Sequence, residues 1–191
     1  MVYNYILWLT IILFPGRATV SQSETTDNNK IQWSLDRKLS WADFKGSPNS
    51  GSQFSAESSL QISYGLKIRE ESGVTHYSFT VDCYFEKSSS WVKDGKKTDK
   101  LLKHEQLHFD IAEYFARKLR REFENNSFNI DNYQSKSAKI FNKNFAEYQS
   151  FQAAYDAETH HGTKPEPQAS WEERVKTLLR KSKAYKKSQS L

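Results

Sequence analysis

His104-Glu105-Gln106-Leu107-His108 is the stretch of this chain whose residue types and spacing carry a specific chemistry. On a helix, residues i and i+4 project from one face about one turn apart. Both imidazoles can therefore reach one zinc ion at ~2.0–2.1 Å. Glu105 follows the first imidazole, where its carboxylate can reach a water on the metal without capping the metal itself. Zinc lowers the pKa of such a water to about 7, and the glutamate can take its proton. Chance produces H-E-x-x-H in roughly 1% of shuffled chains of this composition, so the pattern is far more specific than a short glycine motif.

A catalytic zinc needs a third protein ligand that still leaves one position open. The other histidines are His76, His160 and His161. His76 opens a strand on its polar side. His160 and His161 close the stretch Tyr155-Asp156-Ala157-Glu158-Thr159-His160-His161-Gly162, where Asp156 and Glu158 are further candidates. The two histidines would otherwise serve as a helix C-cap. Glu113 lies five residues past His108, about 140° further round the same helix, and points away from the metal. Adjacent helical residues point about 100° apart, so at most one of His160 and His161 faces the metal readily, and periodicity does not choose between them. Gly162 can release the chain from the helix and let His161 turn inward.

The elements that must position these groups are legible from periodicity. Ile31, Trp33 and Leu35 alternate with polar residues as a possible first strand, and a turn-rich stretch with Trp41 and Phe44 follows. Leu60, Ile62, Tyr64, Leu66 and Ile68 alternate with polar partners and glycine, as do Tyr77, Phe79, Val81, Cys83 and Phe85. Period two predicts two strands, each with one buried face, joined as a hairpin through E-E-S-G-V. Cys83 belongs to that buried face. From Thr98 the period becomes 3.6: Leu101, His104, His108, Ile111 and Phe115 share one stripe of a helix ending near Glu124. Phe141, Phe145, Tyr148, Phe151 and Tyr155 mark a second helix, about 135–158. Ser170 and Glu173 form a capping box for a third, with Pro167 in the first turn as the alternative start. The fold class is α+β: a small antiparallel sheet packed on the H-E-x-x-H helix, followed by two further helices.

The 191 residues carry a net charge of +5, with 12 Phe, 10 Tyr and 5 Trp, a composition that excludes a wholly disordered chain. A lone cysteine excludes an intrachain disulfide and a Cys-rich zinc finger. Residues 5–14 are an apolar run, too short to span a bilayer comfortably, where ~20 apolar residues are needed. Pro15, Gly16 and Ala18 follow. Residues 1–18 therefore read as a cleaved secretory signal, although Met1 to Asn4 lack a basic side chain. Residues 19–30 form a flexible polar lead-in, 31–184 a single domain and 185–191 a basic tail. Its charges read as a solvated helix end rather than a nucleic-acid site. Export without paired cysteines indicates a secreted or periplasmic protein of a bacterial envelope, with no membrane span after signal cleavage.

The segments L-L-K-H-E-Q-L-H-F-D-I-A (101–112), Y-D-A-E-T-H-H-G (155–162), L-S-W-A-D-F-K-G (39–46), Trp91 and Trp171 resemble a family of bacterial envelope proteins. Its members are described as predicted secreted zinc-dependent proteases of otherwise unknown function. The resemblance covers most of 31–180, and its pairing of H-E-x-x-H with T-x-H-G is the family-specific part. It implies a zincin-like fold, with Zn²⁺ held by His104, His108 and His161 and with Glu105 as the catalytic base. The expected activity is hydrolysis of peptide bonds in a protein or peptide substrate. That substrate would lie along the edge of the 59–86 hairpin, by analogy with zincins. Tyr155 could donate a hydrogen bond to the oxyanion, but its place on an aromatic stripe favours core packing. The competing functions are a non-catalytic envelope module that binds a protein or cell-wall partner, and a zinc hydrolase acting on another amide. The intact Glu105 argues against the binding module.

Overall fold

The computed structural model describes residues 27–186. The leader (1–18), most of the lead-in and the last residues of the basic tail lie outside the described residues. The period-two segments form β3 (Leu60–Glu71) and β4 (Val74–Glu86), an antiparallel hairpin. Its two-residue turn, Ser72–Gly73, has φ of 52° and 76°. Positive φ at both positions gives a turn whose twist matches the strands, and Gly73 adopts it without a Cβ penalty. β1 (Lys30–Gln32) pairs with the other side of β4, giving the order β1-β4-β3. β2 (Ala56–Glu57) and β5 (Trp91–Val92) form a separate two-stranded ribbon.

α1 (Asp99–Glu124) lies across the apolar face of the sheet. Ile62, Val81, Cys83 and Phe85 from the strands are buried there with Leu107, Ile111, Phe115 and Leu119 from the helix. Thr98 Oγ1 starts α1 by accepting the Leu101 N–H at 3.2 Å, satisfying one of the free donors of the first turn. α2 (Tyr133–Thr159) and α3 (Pro165–Lys181) then pack against α1. The architecture is α+β, as the periodicity predicts. No helix among the described residues is long and apolar enough to cross a membrane.

Two sequence expectations are corrected. β1 stops at Gln32, and Leu35 is 60% exposed rather than on a buried face. The Asp36 N–H turns to Ser34 Oγ at 3.3 Å, a local side-chain bond that competes with strand pairing. The third helix starts at Pro165, so Ser170 and Glu173 lie inside it and form no capping box. Proline's fixed φ and missing N–H suit the first helical turn, and Pro165 begins the helix directly after Lys164.

The 39–46 segment is tied at its start to the motif helix and at its end to the turn after β4, where the Lys45 and Gly46 N–H groups donate to the Lys87 and Ser90 carbonyls. The Leu39 N–H donates to Gln106 Oε1 at 2.8 Å, and Gln106 Nε2 donates to Asp110 at 2.9 Å. Further along α1, Glu113 is buried and accepts from Arg117 (2.8 Å) and Arg120 (3.2 Å). Arg120 also donates to the Val81 carbonyl at 2.7 Å, tying helix to sheet. Glu113 thus belongs to a buried ion network, and its pairing neutralises charges that would be costly to bury alone.

Candidate metal centre

α1 places His104 and His108 one turn apart with Glu105 next to the first, and α2 brings Asp156 against the imidazoles from its last turn. His104 Nε2 and His108 Nε2 are 3.1 Å apart. Asp156 Oδ1 is 3.1 Å from the first and 3.0 Å from the second. A tetrahedral ion with bonds of about 2.0–2.1 Å has ligand–ligand edges of about 3.3–3.4 Å, slightly wider than this triangle. His104, His108 and Asp156 could therefore hold a metal ion.

The far side of each imidazole is fixed by an amide whose orientation is itself determined. Gln168 Nε2 donates to the Glu172 carboxylate at 3.1 Å, so its carbonyl must face His104. That carbonyl accepts from His104 Nδ1 at 3.2 Å and from the Tyr155 hydroxyl at 2.8 Å. Gln152 Nε2 donates to the His108 backbone carbonyl at 3.0 Å, and Gln152 Oε1 accepts from His108 Nδ1 at 2.7 Å. Both histidines thus carry a proton on Nδ1, and both Nε2 lone pairs point at the carboxylate. Three electron-pair donors within about 3 Å of one another need a cation between them, either a proton or a metal. This donor set fits zinc, which takes nitrogen and carboxylate oxygen.

Without a metal, the proton takes that role. Burial alone would lower the His108 imidazole, but hydrogen bonding to Asp156 and the charges of Asp156 and Glu105 outweigh it, raising it to about 9. Burial alone would raise Asp156, but the hydrogen bonds and charges of the two histidines hold its carboxyl well below the usual range. Burial pushes the Tyr155 hydroxyl up, above the ordinary tyrosine value.

Tyr155 is fully buried and packs on both imidazoles, with its ring 4.7 Å from that of His104 and 4.8 Å from that of His108. Its hydroxyl serves Gln168 and lies 3.2 Å from the His104 carbonyl, so its part is core packing and support, not an oxyanion contact. Glu105 is buried, and Ser58 Oγ donates to its Oε2 at 2.7 Å. Ser58, Gln152 and Gln168 carry no signal in the sequence, because their partners come from other elements.

The close triangle is completed by Asp156, not by His161, the residue the sequence favours. The chain leaves α2 at His160, two residues before Gly162, and His160, His161 and Gly162 have φ of 49°, 53° and 74°. This left-handed turn carries the His161 side chain outward to 50% exposure, beside Phe54 at 4.9 Å between ring centroids. Within the cluster, His161 approaches Asp156 Oδ1, at 3.4 Å from its Nδ1. His160 is exposed, Glu158 accepts from the Trp171 indole at 2.7 Å, and His76 is an exposed strand residue.

The same turn explains T-x-H-G. Thr159 Oγ1 donates to the Tyr155 carbonyl at 2.7 Å and accepts the Gly162 N–H at 3.2 Å. A Cβ on Gly162 would lie 2.8 Å from His104 Cβ and Cγ, so the backbone can close on the His104 side chain only with glycine there.

A family model for bacterial proteins of unknown function, DUF922, matches residues 32–162, a span that runs from the first strand through T-x-H-G. No curated protein and no solved structure matches the chain.

Proposed function

As the chain belongs to the bacterial DUF922 family, whose function is unknown, we propose from its own site that it is a zinc-dependent metallopeptidase of the bacterial envelope. The observation that carries this reading is the His104–His108–Asp156 triangle, with Glu105 one residue along the same helix. His104 and His108 would hold the metal together with Asp156, or with His161 after a movement of the left-handed turn. Bound there, zinc supplies Lewis-acid polarisation of a carbonyl and of water.

The chain's own residues do the rest. Gln168 and Gln152 hold the imidazoles in the tautomer that offers Nε2. Glu105 takes a proton from the attacking water and returns it to the leaving amine. β3 is an edge strand beginning two residues after Ser58, and an extended peptide pairing with it would lie beside Glu105. The apolar run at 5–14 supports export, with a mature chain beginning near Thr19.

The test is metal content of the mature protein together with hydrolysis of a general protein substrate, for wild type and Glu105→Gln. The variant keeps both histidines and should bind about one zinc per chain. Loss of the base should lower the rate on the order of 10²–10⁴-fold. A zinc-loaded wild type with no hydrolysis, or equal activity in wild type and variant, would overturn the peptidase reading and favour the binding module.

A further inference from the structure

We propose that Ser58 is a positioning residue for the general base: it holds one oxygen of Glu105 and leaves the other as the working oxygen. The inference rests on the peptidase reading above. Ser58 lies in the short link between β2 and β3, and its hydroxyl donates to Glu105 Oε2 at 2.7 Å. Hydrogen bonds to a carboxylate are among the stronger ones, and this one lies in a partly buried setting. Glu105 Oε1 has no hydrogen-bond partner among the described residues. The carboxylate is thus divided between an anchored oxygen and a free one, and the Ser58 bond biases which oxygen faces which way.

The link that carries Ser58 is itself clamped. The Ser59 N–H donates to Ser90 Oγ at 2.9 Å, and the Ser59 carbonyl accepts the Glu86 N–H at 2.9 Å. Ser90 is fully buried, and its hydroxyl donates in turn to the Glu86 carbonyl at 2.6 Å. Both backbone groups of Ser59 are therefore fixed to the end of β4 and the turn after it. The neighbouring Ser58 hydroxyl is delivered to Glu105 from a rigid support, as a supporting shell must be if it is to orient a catalytic group.

Ser58→Ala should lower kcat about ten- to hundredfold, the scale of a reacting group misplaced by about 1 Å, with KM and zinc stoichiometry unchanged. Ser58→Thr, which keeps the hydroxyl, should restore most of the rate. Wild-type kcat in Ser58→Ala, a loss confined to KM, loss of bound zinc or failure of threonine to rescue would each overturn the proposal. A second measurement needs no activity. In the metal-free protein, the drop in melting temperature caused by Ser58→Ala should be smaller in a Glu105→Ala background than in wild type. Equal drops would refute the link between the two side chains. A coupled pair in a wild type that hydrolyses nothing would instead overturn the peptidase reading and leave the hold on Glu105 standing.

Discussion

Replacing Asp156 with alanine should weaken zinc binding more than replacing any residue outside the motif helix. Its Oδ1 lies 3.1 and 3.0 Å from the two Nε2 atoms, so it supplies one of the three donors of the triangle. Removing a residue that only orients a ligand reduces metal affinity about 10–100-fold. Removing the ligand itself should exceed about 100-fold, or more than ~2.7 kcal/mol. His161 approaches the carboxylate oxygen at 3.4 Å from a half-exposed position, so His161→Ala should fall within about 10–100-fold, as a partner acting through Asp156. His160, exposed on the same turn, should be near wild type when replaced by alanine. The assay is zinc competition against a chromophoric chelator at neutral pH, with all three variants confirmed folded by melting. A larger loss for His161→Ala than for Asp156→Ala would refute the geometric argument and restore His161 as the third ligand. Loss in neither would remove the carboxylate and the turn from the site altogether.

Three further outcomes follow from the same geometry. In the metal-free protein, His108 is raised to about 9 by Asp156, so its contribution to stability is complete below the unfolded value of about 6.5 and is lost as pH rises through about 9. Asp156 is depressed, so its contribution is present above about 3.9 and is lost as pH falls towards its lowered value. Melting temperature in chelator should therefore be highest between about pH 4 and 6.5, with the alkaline decline flattened in Asp156→Asn; identical profiles would refute the pairing. Gly162→Ala should destabilise the fold by about 1–3 kcal/mol, since it places a Cβ at positive φ against His104, and zinc affinity should fall with it. Gln168→Leu removes the acceptor for His104 Nδ1 and should lower zinc affinity about 10–100-fold without changing stoichiometry; an unchanged titration would show that the tautomer is set elsewhere.

Local pattern determined most of the framework. Period two gave the β3–β4 hairpin and placed Cys83 inside, and the 3.6 period from Thr98 to about Glu124 gave α1 almost to the residue. His104, Glu105 and His108 were legible because their geometry is internal to one helix: the i, i+4 relation exists before any tertiary contact forms. Boundaries were weaker where two local signals competed, as at Leu35, where a serine side chain captured the backbone, and at Pro165, where proline began the helix ahead of the capping box.

What only the tertiary structure decided is which groups from other elements meet the motif. That Asp156 closes the triangle while His161 stands behind it depends on the packing of α2 on α1 and on three consecutive left-handed residues, a backbone path no helical period encodes. The tautomer of each histidine depends on Gln152 and Gln168, and Glu105 depends on Ser58, 47 positions away in sequence. Such pairings are set by long-range packing, whose free energy belongs to the whole core rather than to any window of sequence. One helix therefore sets two imidazoles and a carboxylate side by side from the sequence alone, while the fold brings Asp156 to the imidazoles, their amide partners to Nδ1 and the Ser58 hydroxyl to Glu105.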